Sequence, residues 1–227
     1  MKKILTLVLA LALFITALSG CGSKPAADKT PEELAELYSS AIMENGGEMA
    51  EYNPAFTQAK EDDGSAMVLE NMGLNAVPYA RKAAAVYWDA VFAKMTVRPG
   101  APEFMDELHA RGIRIAVVTN MLADIQMEKL MRLGLSERID YLVTSEEAGI
   151  DKPHRTIFDL AMRKCGVQSD EALMVGDNFT HDVCGAHGAG ISGIWLNWTH
   201  KERPESEVGC FEAHDFLEAA DHIRTLF

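Results

Sequence analysis

The chain predicts an α/β fold: a Rossmann-like three-layer arrangement with a parallel sheet covered by helices on both faces, behind a mainly helical N-terminal segment. Three observations carry this. Residues 113–118, 172–175 and 191–196 are predominantly apolar runs, interrupted only by Arg114 and by Ser192-Gly193, and too short for helices. Segments with helical spacing separate them, and strands alternating with helices build a parallel sheet buried on both sides. The first two runs end directly in polar or glycine residues, Thr119-Asn120 and Gly176-Asp177, and sheets of this kind bind ligands at the carboxyl ends of their strands.

The elements follow in order. Met1-Lys2-Lys3 is a basic start, residues 4–18 are almost wholly apolar, and Leu18-Ser19-Gly20-Cys21 closes the run with small residues before a cysteine. This stretch resembles a bacterial lipoprotein signal, which implies cleavage before Cys21, lipidation of Cys21, and a chain anchored to the extracytoplasmic face of the cell membrane. Residues 1–21 are therefore expected to be signal peptide and lipobox. Residues 22–78 form a tether and a helical to irregular segment, in which Thr30-Pro31-Glu32-Glu33 supplies an N-cap, a first-turn proline and a capping-box glutamate. The helix so begun is expected to run to about residue 44 and to stop at Gly46-Gly47.

Residues 79–227 form the α/β body. Tyr, Trp, Phe and Val recur at helical spacing over 79–95, ended by Pro99-Gly100. A helix through Phe104 and Leu108 stops at Gly112 before the strand at 113–118. A helix over Ile125, Leu130 and Leu133 leads to a strand at 141–144, and a helix at 155–164 precedes the strand at 172–175. A helix over 182–187 closes on Gly188 and Gly190 before the strand at 191–196, and a last helix carries His214 and His222.

Composition narrows the function. The formal net charge is −13, and no cluster of Lys or Arg rises above that background, so nucleic acid is excluded as a partner. Any phosphate site on so acidic a chain must be locally positive. Besides Cys21 there are Cys165, Cys184 and Cys210, an odd number without metal-ligand spacing, which predicts neither a disulfide framework nor a zinc site.

Three segments carry chemistry. Val117-Val118-Thr119-Asn120 ends a strand in a hydroxyl. Gly149-Ile150-Asp151-Lys152-Pro153 offers a lysine. Gly176-Asp177, with Asp182 five residues on, offers two carboxylates. Each alone is a common turn or strand end. In this order and spacing they resemble the haloacid dehalogenase superfamily, the magnesium-dependent phosphohydrolases that work through an aspartyl-phosphate. The likeness covers roughly residues 79–227. It implies that Thr119, Asn120 and Lys152 bind phosphate, that Thr119 and Lys152 serve catalysis, that Asp177 and Asp182 hold Mg2+, and that the ligand is a small phosphorylated molecule. The helix at 79–95 would then be a remnant of a helical cap.

The superfamily's first motif, Asp-x-Asp after a buried strand, supplies its nucleophile, and no Asp-x-Asp occurs in this sequence. The nearest mimic is Glu61 in Glu61-Asp62-Asp63-Gly64-Ser65, behind an approach too polar for a central strand. The nucleophile's strand is expected mid-sheet, between the strands ending at Thr119 and Asp177. With that strand missing or replaced, either the apolar N-terminal run or residues 66–69 must fill the gap, or the open edges favour self-association. Three functions stay open: a phosphomonoesterase using Glu61 or another carboxylate, a catalytically silent phosphate-binding, metal-binding or scaffolding lipoprotein, and a non-productive join of a lipoprotein start to a phosphatase. His181 reads as a solvated residue at a helix start whose neighbours favour capping, Trp195 and Trp198 as packing, and the charged run at 201–205 as a surface loop.

Overall fold

A computed structural model describes residues 6–9, 77–78 and 80–227. The helix expected at 31–44, Glu61, residues 66–69 and Cys21 lie outside the described residues. The chain divides into two compact units, one of residues 1–15 with 96–227 and one of residues 16–95. In the second unit, helix α1 (Ala80–Lys94) is the element the spacing predicts, and it stacks Trp88 on Phe92 with ring centroids 5.8 Å apart.

The first unit holds a six-stranded sheet. Its strands are β1 (Thr6–Leu9), β2 (Arg114–Thr119), β3 (Tyr141–Thr144), β4 (Ala172–Gly176), β5 (Ser192–Leu196) and β6 (Phe211–Ala213). The order is β3-β2-β1-β4-β5-β6, and all pairings are parallel. The apolar N-terminal run thus replaces the middle strand. Leu9 is level with Val117 on one side and Val175 on the other, so β2 and β4 need not pair with each other and the sheet's edges fall at β3 and β6.

Helices α2 (Ala101–Ala110), α3 (Ala123–Arg132), α4 (Ser145–Ala148), α5 (Arg155–Cys165), α6 (Gly185–Gly188) and α7 (Phe216–Arg224) complete the unit. Side chains alternate across a strand, and the core divides accordingly. Ile115 and Val117 of β2 join Leu173 and Val175 of β4 under Phe104, Leu108, Ala219 and Ile223. Ala116, Val118 and Met174 face the other way, under Ile157, Phe158, Ala161 and Ala186. Fully buried side chains of this size each contribute about 1.5–3 kcal/mol. Gly185 is required here, because a Cβ would sit 2.8 Å from the Phe158 ring.

Two boundaries differ from expectation. The helix predicted over 182–187 begins earlier, as a π-helical turn over Phe179–Cys184 that continues into α6. Asn178 starts it by accepting the His181 N–H at 2.8 Å, a cap the sequence reading passed over. Strand β6 has only three residues, too few for periodicity to reveal.

Candidate active site at the carboxyl edge of the sheet

Thr119 ends β2 and is 6% exposed. Its Oγ1 accepts a hydrogen bond from Nε2 of Gln126 at 2.8 Å. The next residue, Asn120, locks the lysine loop in place through two bonds: Nδ2 donates to the Lys152 carbonyl at 3.1 Å, and Oδ1 accepts the Lys152 N–H at 2.7 Å. A neighbouring tie holds the start of α3, where Glu146 Oε2 accepts the Ala123 N–H at 2.8 Å. The peptide bond between Lys152 and Pro153 is cis.

Lys152 is 7% exposed. Its Nζ donates to the Val118 carbonyl at 2.9 Å and to Asp182 Oδ1 at 2.6 Å. The other Asp182 oxygen accepts the Asn178 N–H at 3.0 Å. Removing two charges from water is costly, and such a pair persists where good geometry and further hydrogen bonds offset the loss. Both conditions hold here. Gly176 makes the approach possible, since a Cβ at that position would collide with the Asp182 side chain.

Asp177, half-buried beyond β4, is different. Its carboxyl is pushed above the usual carboxylate range by burial and then by Asp182, while Lys152 and Lys201 pull it down. Among the described residues no side chain hydrogen-bonds to it. The Trp195 Nε1–H donates to the Asp177 carbonyl at 3.0 Å and fixes its backbone, and Phe179 packs edge-on against the Trp195 ring at 5.2 Å.

The expected site residues Thr119, Asn120, Lys152, Asp177 and Asp182 therefore come together where β2 and β4 end. Asp182, grouped from the sequence with Asp177 as a metal ligand, has one oxygen on Lys152 and the other on a backbone N–H. A half-buried carboxylate burdened by a like charge fits a divalent cation, and Mg2+ needs only one or two carboxylates besides water and phosphate. Asp177 is the residue that could supply such a carboxylate, since both Asp182 oxygens are engaged by Lys152 and Asn178. No cluster of three or more His, Cys, Asp or Glu side chains able to hold a metal occurs among the described residues.

Three contributors escaped the sequence reading. Gln126 was hidden by lying seven residues from its partner. Trp195 was expected only to pack. Arg98, whose guanidinium feels the Asp177 charge and lies 3.7 Å over the Trp198 ring, precedes the Pro99-Gly100 turn and matches no motif.

Comparison with known proteins agrees with this geometry. The model of the family described as haloacid dehalogenase-like hydrolase matches residues 30–196. A ribulose-1,5-bisphosphate 5-phosphatase of Halopiger xanaduensis is 39% identical over 129 residues, 57% of this chain and 52% of that protein. A glyceraldehyde 3-phosphate phosphatase of Methanopyrus kandleri is 33% identical over 165 residues, 70% of this chain and 71% of the relative. Across several other relatives the chain spans about half of their length. Among solved structures, the magnesium-bound HAD-hydrolase YfnB of Bacillus subtilis superposes with a TM-score of 0.69 at 20% identity, covering 98% of this chain and 99% of that one.

Proposed function

The chain belongs to the haloacid dehalogenase-like hydrolase family, and from that premise we propose that it binds the phosphate of a small phosphorylated molecule without forming an aspartyl-phosphate. One observation carries this reading. The middle strand is Thr6–Leu9, and the sequence beyond it reads Ala10-Leu11-Ala12, while Lys152 keeps its hydrogen bonds to Asn120 and Asp182 and Thr119 its bond to Gln126. Leu9 is level with Val117, two residues before Thr119, and with Val175, two residues before Asp177. In sequence, the residues that follow this strand carry no acidic pair.

The residues present act as a cradle. An ammonium has three donors. Two of Lys152's are taken by Val118 and Asp182, which leaves the third for a phosphate oxygen. The Thr119 hydroxyl donates to another, and such fixed donors stabilise anionic oxygens in a site sheltered from water. Mg2+ on Asp177 would neutralise charge on the bound phosphate. The relatives named for sugar phosphates support a ligand of that class.

Calorimetric titration with inorganic phosphate and with glyceraldehyde 3-phosphate, each with Mg2+, is expected to show binding that weakens in Thr119→Val. No p-nitrophenyl phosphate is expected to turn over, whereas Ala10→Asp combined with Ala12→Asp should introduce turnover that requires Mg2+ and Lys152. Steady Mg2+-dependent turnover by the unaltered chain would overturn the silent reading, and Glu61→Gln would then test the remaining candidate nucleophile. Membrane attachment through Cys21 is an alternative proposal, supported by the lipobox-like Leu18 to Cys21 and exclusive of this sheet, because cleavage before Cys21 would remove Thr6–Leu9 from between β2 and β4. Metabolic labelling with palmitate, lost in Cys21→Ala, is its expected signature, and an unlabelled chain recovered wholly in the soluble fraction would refute it.

A further inference from the structure

Helix α3 buries two polar side chains beside the apolar Leu130. Gln126 is 3% exposed and Lys129 7%, while Met127 and Met131 are 52% and 64% exposed. A buried polar side chain is the informative exception to ordinary burial. Gln126 is only half satisfied: Nε2 donates to Thr119 Oγ1, and Oε1 has no hydrogen-bond partner among the described residues. A glutamine kept for stability alone would be expected to use both ends.

The Thr119 hydroxyl explains what the contact does. It has one proton to donate and lone pairs to accept with. Gln126 occupies the acceptor side, and among the described residues the hydroxyl makes no other hydrogen bond. We infer that Gln126 is a positioning residue: by donating to Oγ1 it turns the Thr119 proton outward, so that the hydroxyl meets an anionic oxygen as a donor. This rests on the reading of the Thr119 side as a phosphate cradle.

The test uses the full chain, inorganic phosphate with Mg2+, calorimetry and the 31P chemical shift of the bound ion. Gln126→Glu keeps the shape but places an acceptor beside Oγ1, which draws the hydroxyl proton back. Phosphate affinity should fall about tenfold, the scale of one hydrogen bond to a charged group. Gln126→Met removes the donor without adding charge. It should displace the bound 31P resonance in the same direction as Thr119→Val, and the two changes should not add in the double variant. A purely structural glutamine would leave the bound resonance unmoved and the affinity losses additive, and either result overturns the inference while sparing the cradle. An unaltered chain that binds no phosphate overturns both. If Gln126→Glu does not fold, the Gln126→Met and Thr119→Val cycle decides alone.

Discussion

The carboxyl edge of the sheet has two unlike regions. Where β2 and β4 end, a lysine and an aspartate are buried together, two backbone groups complete their hydrogen bonding, and Asn120 clamps the loop that carries the lysine. Where β1 ends, the sequence runs on through alanine and leucine. On the proposed reading, the first region holds the phosphate and the second is where the family keeps the group that attacks. The comparison teaches that the hydrogen-bonded geometry of one strand end does not depend on the sequence that follows another.

The strongest way to break the comparison is to remove one half of the buried pair. Lys152→Met leaves Asp182 buried and charged without its ion-pair partner, and unfolding free energy should fall by about 3–5 kcal/mol, read from denaturant melts. The double variant Lys152→Met with Asp182→Leu should recover most of that loss. A cost below about 1 kcal/mol for the single change, the value of an exposed pair, would mean that the binding side is far wetter than described. Next in size is Gly176→Ala, whose methyl group collides with the Asp182 side chain. Overpacking of this kind costs about 1–3 kcal/mol, and bound phosphate should weaken in parallel if Asp182 orients Lys152.

A smaller effect separates Asp177 from its neighbour. Mg2+ at about ten times its dissociation constant should stabilise the chain by about 1.4 kcal/mol, and Asp177→Asn should abolish that gain. Equal stabilisation of both proteins would remove Asp177 from the metal's reach. The smallest effect concerns Lys129, buried on α3 beyond Gln126, whose pKa is lowered to about 8 by burial. A folded-state value below the unfolded one, about 10.4, means that the unfolded chain binds more protons between those two values. Stability should therefore rise with pH across that window, by about 1 kcal/mol from pH 8 to 9, with the full penalty present below it. Lys129→Met should flatten the rise, and an unchanged slope would show that another group titrates there.

Much of this site was legible before any coordinates. Strand ends announce themselves when an apolar run stops at Thr119-Asn120 or Gly176-Asp177, because buried parallel strands leave no other place for polar residues. What stayed hidden was pairing. Nothing in the spacing of Lys152 and Asp182, thirty residues apart, says that the aspartate faces the lysine, and Gln126 carries no mark that distinguishes it from a solvated helix glutamine. The N-terminal run reads from its composition as an export signal and, with residues 66–69, as one of two candidates for the missing middle strand. An export signal and a central parallel strand are both short, continuous and apolar, and only the register against Val117 and Val175 shows what residues 6–9 do in the folded unit.

That register also sets a schedule. Thr6 pairs with Arg114 and with Ala172, so the strand that leaves the ribosome first lacks its second neighbour until most of the chain has been made. At about 5–20 residues per second, that interval is on the order of ten seconds or more. Through it an apolar strand lacks one of its two hydrogen-bonding neighbours. Completion of this sheet depends on its keystone outlasting that wait.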